Sequence, residues 1–242
     1  MLRNLTPVVK NILLINVLML IVTFFGHQQE IPVTRFLGGY EFGSPFFKPF
    51  QIVTHFFMHG GPMHLLFNMF ALVIFGSALE QRWGPKRFFM FYFITAIGAF
   101  ILFQLIGYFE VINIREELSA AGINYVEIHD TLRSGYIYNS NANQLILEYQ
   151  DMINTPLVGA SGAVFGVLVA FAFYFPNTEL YLIFFPFPIK AKYLVGGYIV
   201  LEIIQTLRNS PGDNVAHLAH ITGALVGFII VYYWQKTNKN FY

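Results

Sequence analysis

The chain has 242 residues, 56% hydrophobic and only 11% charged, where an ordinary soluble domain carries about a quarter charged residues; the composition excludes such a domain and places the chain in a bilayer. A formal charge of +1 leaves no basic surplus for nucleic acid, which is set aside as a partner. The absence of cysteine excludes disulfides, thiolate metal sites and a cysteine nucleophile, and with them any reading of redox compartment.

Crossing the hydrocarbon core takes about 20 mainly apolar helical residues. Six stretches approach that length: 8–26, 54–78, 87–108, 157–176, 191–208 and 215–235. The first contains Lys10, Asn11 and Asn16, yet VLMLIVTFF follows without a small-residue cleavage site, so a true span is expected rather than a removable signal. Between the third and fourth, residues 109–156 form an insertion rich in Asn and acidic groups. Within it NYVEIHDTLRSG and NANQLILEYQDMINTP have the spacing of short amphipathic helices. The fourth stretch opens on GASGAVFG. LYLIFFPFPIK (180–190) is short and interrupted by Pro186 and Pro188, and reads as a buried or interfacial connection. The fifth holds Glu202, the one acid deep in a predicted span, and the sixth carries His217 and His220 shortly after Asp213. With no fixed-period repeat, one all-α domain over 1–242 is expected, a polytopic six-helix bundle with an insertion between helices three and four.

Short inner loops retain Lys and Arg. An inside N-terminus puts nine of the fourteen on the inner face, Arg3, Lys10, Lys190 and Lys239 among them. Both termini are then cytoplasmic, the insertion is outside, and helices two, four and six run inward from the outer face.

The unusual polar residues gather near the outer ends of those three helices. Helix two has His59, His64 and Asn68; helix four has Ser161, about four residues and hence ~6 Å below its expected start; helix six has His217 and His220. A lone membrane serine most often packs helices or bonds its own backbone. Here Gly162, Gly166 and Ala170 on helix four, and Ala219, Gly223 and Gly227 on helix six, form small-residue stripes that let two backbones approach closely. Ser161 and His220 lie beside those stripes. Intramembrane histidines are costly unless they face a polar cavity, and serine beside imidazole is the minimum set for nucleophilic catalysis. His220 is the candidate base, although spacing alone leaves His217 open. His64 and Asn68, four apart on one helical face, are candidate donors to a developing oxyanion, with the Ser161 backbone N–H as a third.

GASG opening helix four, H-x4-H-x3-N in helix two and AHITGALVG in helix six together resemble the three signatures of the rhomboid intramembrane serine proteases, over residues 50–235 apart from the insertion. The resemblance implies a six-helix core and a serine–histidine dyad hydrolysing peptide bonds in or next to transmembrane segments of other membrane proteins. It implies Ser161 as nucleophile, His220 as general base and acid, Gly159 as the glycine of the Gly-x-Ser-Gly signature, and His64 and Asn68 at the oxyanion. His217, His59 and Phe165 are then expected to line the cavity. Substrates would be transmembrane proteins met in the lipid of a cell membrane, with no cofactor and no metal; oligomeric state is not legible.

Three departures accompany the match. Phe50-Gln51 stands where many bacterial members have Trp-Arg, so the anchoring of the first outer loop is expected to differ. Phe165 stands where a tyrosine is common, able to stack on His220 without the hydroxyl. The insertion is either a solvated excursion or a cap over the site. Glu80 and Arg82 match a charged cluster at the inner end of helix two, with structural pairing as their expected role. Glu202 has three readings, a third catalytic member, a proton-relay group or a carboxyl hydrogen-bonded to neighbouring helices; the last is expected, because neither motif places an acid beside His220 and Asp213 lies seven residues away, so a dyad is expected rather than a triad. Two competing functions are weighed. The first is a metal-dependent membrane protease or ion carrier using His59, His64, His217, His220 and Glu202, against which the H-E-x-x-H arrangement is absent. The second is a non-catalytic relative that only binds membrane proteins, against which both serine and histidine are present.

Overall fold

The computed structural model describes residues 5–139, 141–181, 187–208 and 216–237. Arg3, Pro186, Asp213 and Lys239 lie outside the described residues. In chain order the helices are α1 (Pro7–Gln28), α2 (Val33–Leu37), α3 (Gln51–Thr54), α4 (Pro62–Ala71), α5 (Ser77–Trp83), α6 (Pro85–Ala120), α7 (Tyr125–Arg133), α8 (Gln144–Asn154), α9 (Ser161–Tyr174), α10 (Ala191–Arg208) and α11 (His217–Thr237). A π-helical turn, Leu72–Gly76, joins α4 to α5 without a break in the helix. Two short strands, β1 (Glu179–Leu180) and β2 (Ile189–Lys190), pair antiparallel where the sequence suggests a connection. The molecule is thus a polytopic membrane helical bundle. Among the described residues α1, Pro62–Trp83, α6 and α11 are long and apolar enough to cross a membrane.

The bundle is arranged around α9. That helix is apolar on all sides, and a helix of that kind belongs in an interior; its residues from Ala163 to Val167 are all buried. It packs against α4, the π-turn, α6, α10 and α11. At 14 residues it is about 21 Å long at 1.5 Å per residue, short of the ~30 Å hydrocarbon core. The expected span of 157–176 is therefore too long. Gly159, at φ 125°, keeps the chain out of helix before Ser161, and Phe175-Pro176 ends it. Ser161 is the first residue of the helix and not the fifth.

Glycine stripes bring α9 and α11 together as their spacing predicts. A Cβ on Gly223 would run into the Gly162 carbonyl oxygen, and one on Gly227 would stand 2.5 Å from Gly166 Cα. The two backbones are in contact at both levels. At the end of the bundle near Tyr174, Glu80 accepts hydrogen bonds from Val8 N and Val9 N, both at 2.9 Å. A helix start leaves its first N–H groups without partners and favours negative charge, so this carboxylate caps α1. Arg82 lies over the rings of Tyr174 and Phe175 at 5.0 and 5.6 Å. The charged cluster is structural as expected, but its partners are an amide pair and two rings.

Helix three overruns its expected end. α6 has 36 residues and continues to Ala120, where the sequence suggests a loop from 109. No Gly or Pro interrupts 109–120, and Val111, Ile114 and Leu118 form a stripe that buries against Ile128, Leu132, Tyr149 and Ile153. α7 and α8 form where their amphipathic spacing predicts, each capped by an asparagine: Val126 N donates to Asn124 Oδ1 at 3.0 Å and Leu145 N to Asn143 Oδ1 at 2.9 Å. The insertion is pinned to the segment between α2 and α3. Arg115 donates to Tyr149 Oη and to the Gly43 carbonyl, both at 2.8 Å, and Ser44 Oγ donates to the Ile153 carbonyl at 2.5 Å.

Candidate active site

Three segments converge on the start of α9. The segment between α2 and α3 reaches it through a two-way backbone bridge: Gly39 N donates to Leu157 O at 2.9 Å and Leu157 N to Gly39 O at 2.8 Å. Gln51 holds that loop in place. Its Oε1 accepts from Lys48 N at 2.9 Å, while its Nε2 is shared between the Phe36 and Phe46 carbonyls at 3.1 and 3.3 Å. The departure at Phe50-Gln51 is thus filled by a buried amide. His55 anchors the same region. Its ring packs 4.3 Å from Phe100, its Nδ1 meets Gln51 O at 2.8 Å, and its carbonyl accepts from Gly159 N at 3.1 Å.

Gly159 is constrained twice. Its positive φ of 125° is one that residues with a Cβ rarely adopt. A Cβ there would also lie 2.8–2.9 Å from Cε1 and Nε2 of His64 and 3.6 Å from Ser161 Oγ. Gly159 thus keeps open the space between the Ser161 hydroxyl and the His64 ring. Gly60 N donates to His64 Nδ1 at 3.4 Å, which assigns the ring proton to Nε2, on the side facing Gly159. Asn68 is buried, with one amide hydrogen donated to the His64 carbonyl at 2.9 Å and the second left for another acceptor. His59 is buried with its ring edge-on to His64, 5.1 Å between centroids.

His220, in the first turn of α11, is buried and held on face and edge. Phe165, one turn after Ser161, stacks on it at 4.3 Å with an interplanar angle of 9°, as its position suggests. His220 Nδ1 meets Glu202 Oε2 at 2.9 Å. His217 Nδ1 meets the same oxygen at 2.6 Å. An ionised carboxylate only accepts, so each Nδ1 carries its proton and Nε2 of His220 is left as the basic nitrogen. Glu202 is bonded to a neighbouring helix, as expected, but the expectation that no acid stands beside His220 is overturned: the acid comes from α10 and not from either motif. His217 belongs to this hydrogen-bonded group.

Among the described residues no hydrogen bond joins Ser161 Oγ to His220; catalytic bonds are often long before substrate binds. What brings the two side chains to one level is the contact of their helices, with Gly162, the residue after Ser161, against Gly223, three after His220. Ligand-type atoms of Glu202, His217 and His220 lie within 4.8 Å of one another. Their separations of 2.6 and 2.9 Å are those of hydrogen bonds, whereas two ligands on a tetrahedral zinc with bonds of 2.0–2.1 Å stand about 3.3 Å apart.

A helical bundle with a serine at the start of one helix and a histidine in the first turn of the helix it contacts defines a class of membrane protein, and comparison with known families places it. The rhomboid domain family matches residues 47–112 and 118–237, and the chain belongs to the rhomboid family. It is 27% identical over 222 residues to Rhomboid protein 1, mitochondrial, of Saccharomyces cerevisiae, covering 89% of this chain and 51% of that protein. It is 27% identical over 183 residues to Rhomboid protease AarA of Providencia stuartii, covering 72% and 51%. RHOMBOID-like protein 12, mitochondrial, of Arabidopsis thaliana is 25% identical over 189 residues, covering 78% and 46%. The chain spans about half the length of these relatives.

Proposed function

We propose that this protein is an intramembrane serine endopeptidase that cuts transmembrane proteins in or beside their membrane segments, and that 1–242 acts as one rhomboid-like unit. The observation that carries the reading is the fixed His220, its Nδ1 on Glu202 and its face on Phe165, on the helix whose Gly223 abuts the residue after Ser161. In the first step the Ser161 O–H bond breaks as its proton passes to His220 Nε2, and Oγ bonds to the substrate carbonyl carbon. The carbonyl oxygen takes the negative charge, facing His64 Nε2–H, the second amide hydrogen of Asn68 and the Ser161 backbone N–H at the start of α9. The C–N bond then breaks, with the proton returned from His220 to the leaving nitrogen. Water, deprotonated by His220, releases the acyl group by the same path in reverse. Phe165 and His59 shape the cavity.

The excess of Lys and Arg in one set of loops supports a reading with both termini in the cytoplasm and the site opening to the outer face of a cell membrane. Names of relatives that carry "mitochondrial" make an organelle membrane the alternative location. The test is cleavage of a single-span substrate in liposomes by wild type, Ser161→Ala and His220→Ala. Loss of cleavage in both variants is expected; undiminished cleavage by both would show the mechanism to be wrong. The proximity of Glu202, His217 and His220 favours one second reading, a metal-dependent enzyme, marked by inactivation with a chelator while Ser161→Ala stays active. A non-catalytic relative would leave the substrate uncut under all conditions.

A further inference from the structure

Glu202 is an unusual residue where it stands. Its neighbours Leu201 and Ile203 on α10 are 59% and 42% exposed on the outside of the bundle, while Glu202 itself is 4% exposed and turned inward. A buried carboxylate is costly unless it is paired and hydrogen-bonded. Two imidazole N–H groups meet that need on one oxygen, at 2.6 Å from His217 and 2.9 Å from His220. A link between helices would be served by either histidine alone. The pairing with His220 does more, because it occupies the one ring nitrogen that the proposed reaction does not use.

We infer that Glu202 is a positioning residue for the reaction, fixing the ring of His220 and the proton on its Nδ1, with His217 as the carboxylate's second donor. The inference rests on the Ser161–His220 reading given above. Phe165 fixes the plane of the His220 ring by stacking at 4.3 Å and 9°. Stacking is met equally by the ring flipped 180° about its Cβ–Cγ bond, so it does not decide which nitrogen faces Ser161; the bond to Glu202 does. When Nε2 takes the Ser161 proton the ring becomes an imidazolium, and the carboxylate stabilises it while staying ionised itself. His217 makes no contact with reacting atoms in this scheme. It keeps Oε2 oriented through the cycle and shares the desolvation of the carboxylate, as outer partners do for other oriented imidazoles.

The experiment uses the full chain in liposomes with a single-span substrate. It compares wild type, Glu202→Gln, Glu202→Asp and His217→Asn, with Ser161→Ala as reference, for kcat, KM, labelling of Ser161 by a fluorophosphonate, and Tm. Glu202→Gln keeps shape but loses the charge and the obligatory acceptor; kcat is expected to fall about a hundredfold with KM within twofold and labelling slowed in parallel. Glu202→Asp is expected to recover part of that loss, and His217→Asn to cost less than tenfold in kcat. Should Glu202→Gln fail to fold, Glu202→Asp carries the test, with kcat reduced severalfold at unchanged KM. Wild-type kcat in a folded Glu202→Gln, or in Glu202→Asp where only that variant folds, would overturn the inference and leave the dyad standing if Ser161→Ala is inactive. Full activity in Ser161→Ala would instead overturn the dyad.

Discussion

Adding one methyl group at Gly223 tests whether contact between two helix backbones sets the catalytic geometry. A Cβ there would lie 2.7 Å from the Gly162 carbonyl carbon and 2.9 Å from its Cα, with the carbonyl oxygen closer still. Ordinary contact between such atoms is about 3.5–4.0 Å, so α9 and α11 must separate by about 1 Å. The obstacle is backbone and cannot move aside by changing rotamer, which puts the cost near the top of the 1–3 kcal/mol range for overpacking, about 3 kcal/mol. Because Gly162 follows Ser161 directly, the separation is passed to the proposed nucleophile, and a displacement of about 1 Å there costs about a hundredfold in rate. Gly227→Ala meets Gly166 Cα at 2.5 Å at the next level inward, and is expected to lose similar stability but less kcat. Gly197→Ala on α10 meets nothing within 4 Å, and is expected to gain up to about 1 kcal/mol as a helix-interior Gly replacement. Thermal unfolding in detergent and kcat in liposomes read the two effects separately. A Gly223→Ala protein with wild-type Tm and kcat would refute the reasoning.

Glu80→Gln removes the charge that caps α1 and is expected to cost about 1–2 kcal/mol, seen as a lower Tm; an unchanged Tm in low salt would contradict the cap. Arg115→Ala releases the insertion from Tyr149 and Gly43; losing about 1.5–3 kcal/mol of charged hydrogen bonding should speed amide exchange at least tenfold in α7, α8 and residues 38–46, and equal exchange would count against the clamp. Phe165→Ala removes the stack on His220, worth about 0.5–1.5 kcal/mol, so kcat should fall up to about tenfold with KM unchanged; a change confined to KM would place the ring against substrate instead. In the segment between α2 and α3, burial pushes the Glu41 carboxyl up to about 7, partly offset by Phe42 N–H and Arg115. A folded value above the unfolded 4.5 means the folded state binds the extra proton. The stabilisation is full below about pH 4.5 and is lost as pH rises to about 7. Melting temperatures should fall across that window more steeply in wild type than in Glu41→Gln, and parallel slopes would rule this out.

The spans were legible because bilayer crossing imposes one requirement, about 20 apolar helical residues, that composition alone can report. Helix ends were not, because they depend on partners. Val111, Ile114 and Leu118 read as scattered apolar residues in a polar segment until α7 and α8 are packed on them, which is why α6 runs on to Ala120. At α9 the start depends on the backbone angle of Gly159, a conformation its neighbours permit and no hydrophobic pattern records. The insertion's own helices were legible, since amphipathic spacing and an asparagine cap are both local.

The site divides along the same line. The grouping of Ser161, His64, Asn68 and the histidine pair His217 and His220 was legible from spacing within each helix combined with the parity of three helices, whereas the choice of His220 over His217 came from the family resemblance. The stripes of Gly162 and Gly166 against Gly223 and Gly227 even indicate which two helices touch. Glu202 was not assigned to His220 by that route. It lies 18 residues before His220 on another helix, and periodicity along one helix says nothing of how a second is rotated about its axis. The available signal was energetic: an acid between the exposed apolar residues Leu201 and Ile203 must find a partner inside, and the imidazoles expected at that end of the bundle, His217 and His220 among them, are the candidate donors. Asking which buried donor satisfies a membrane carboxyl therefore locates the group beside the proposed base, where a search for an acid within the histidine motif finds none.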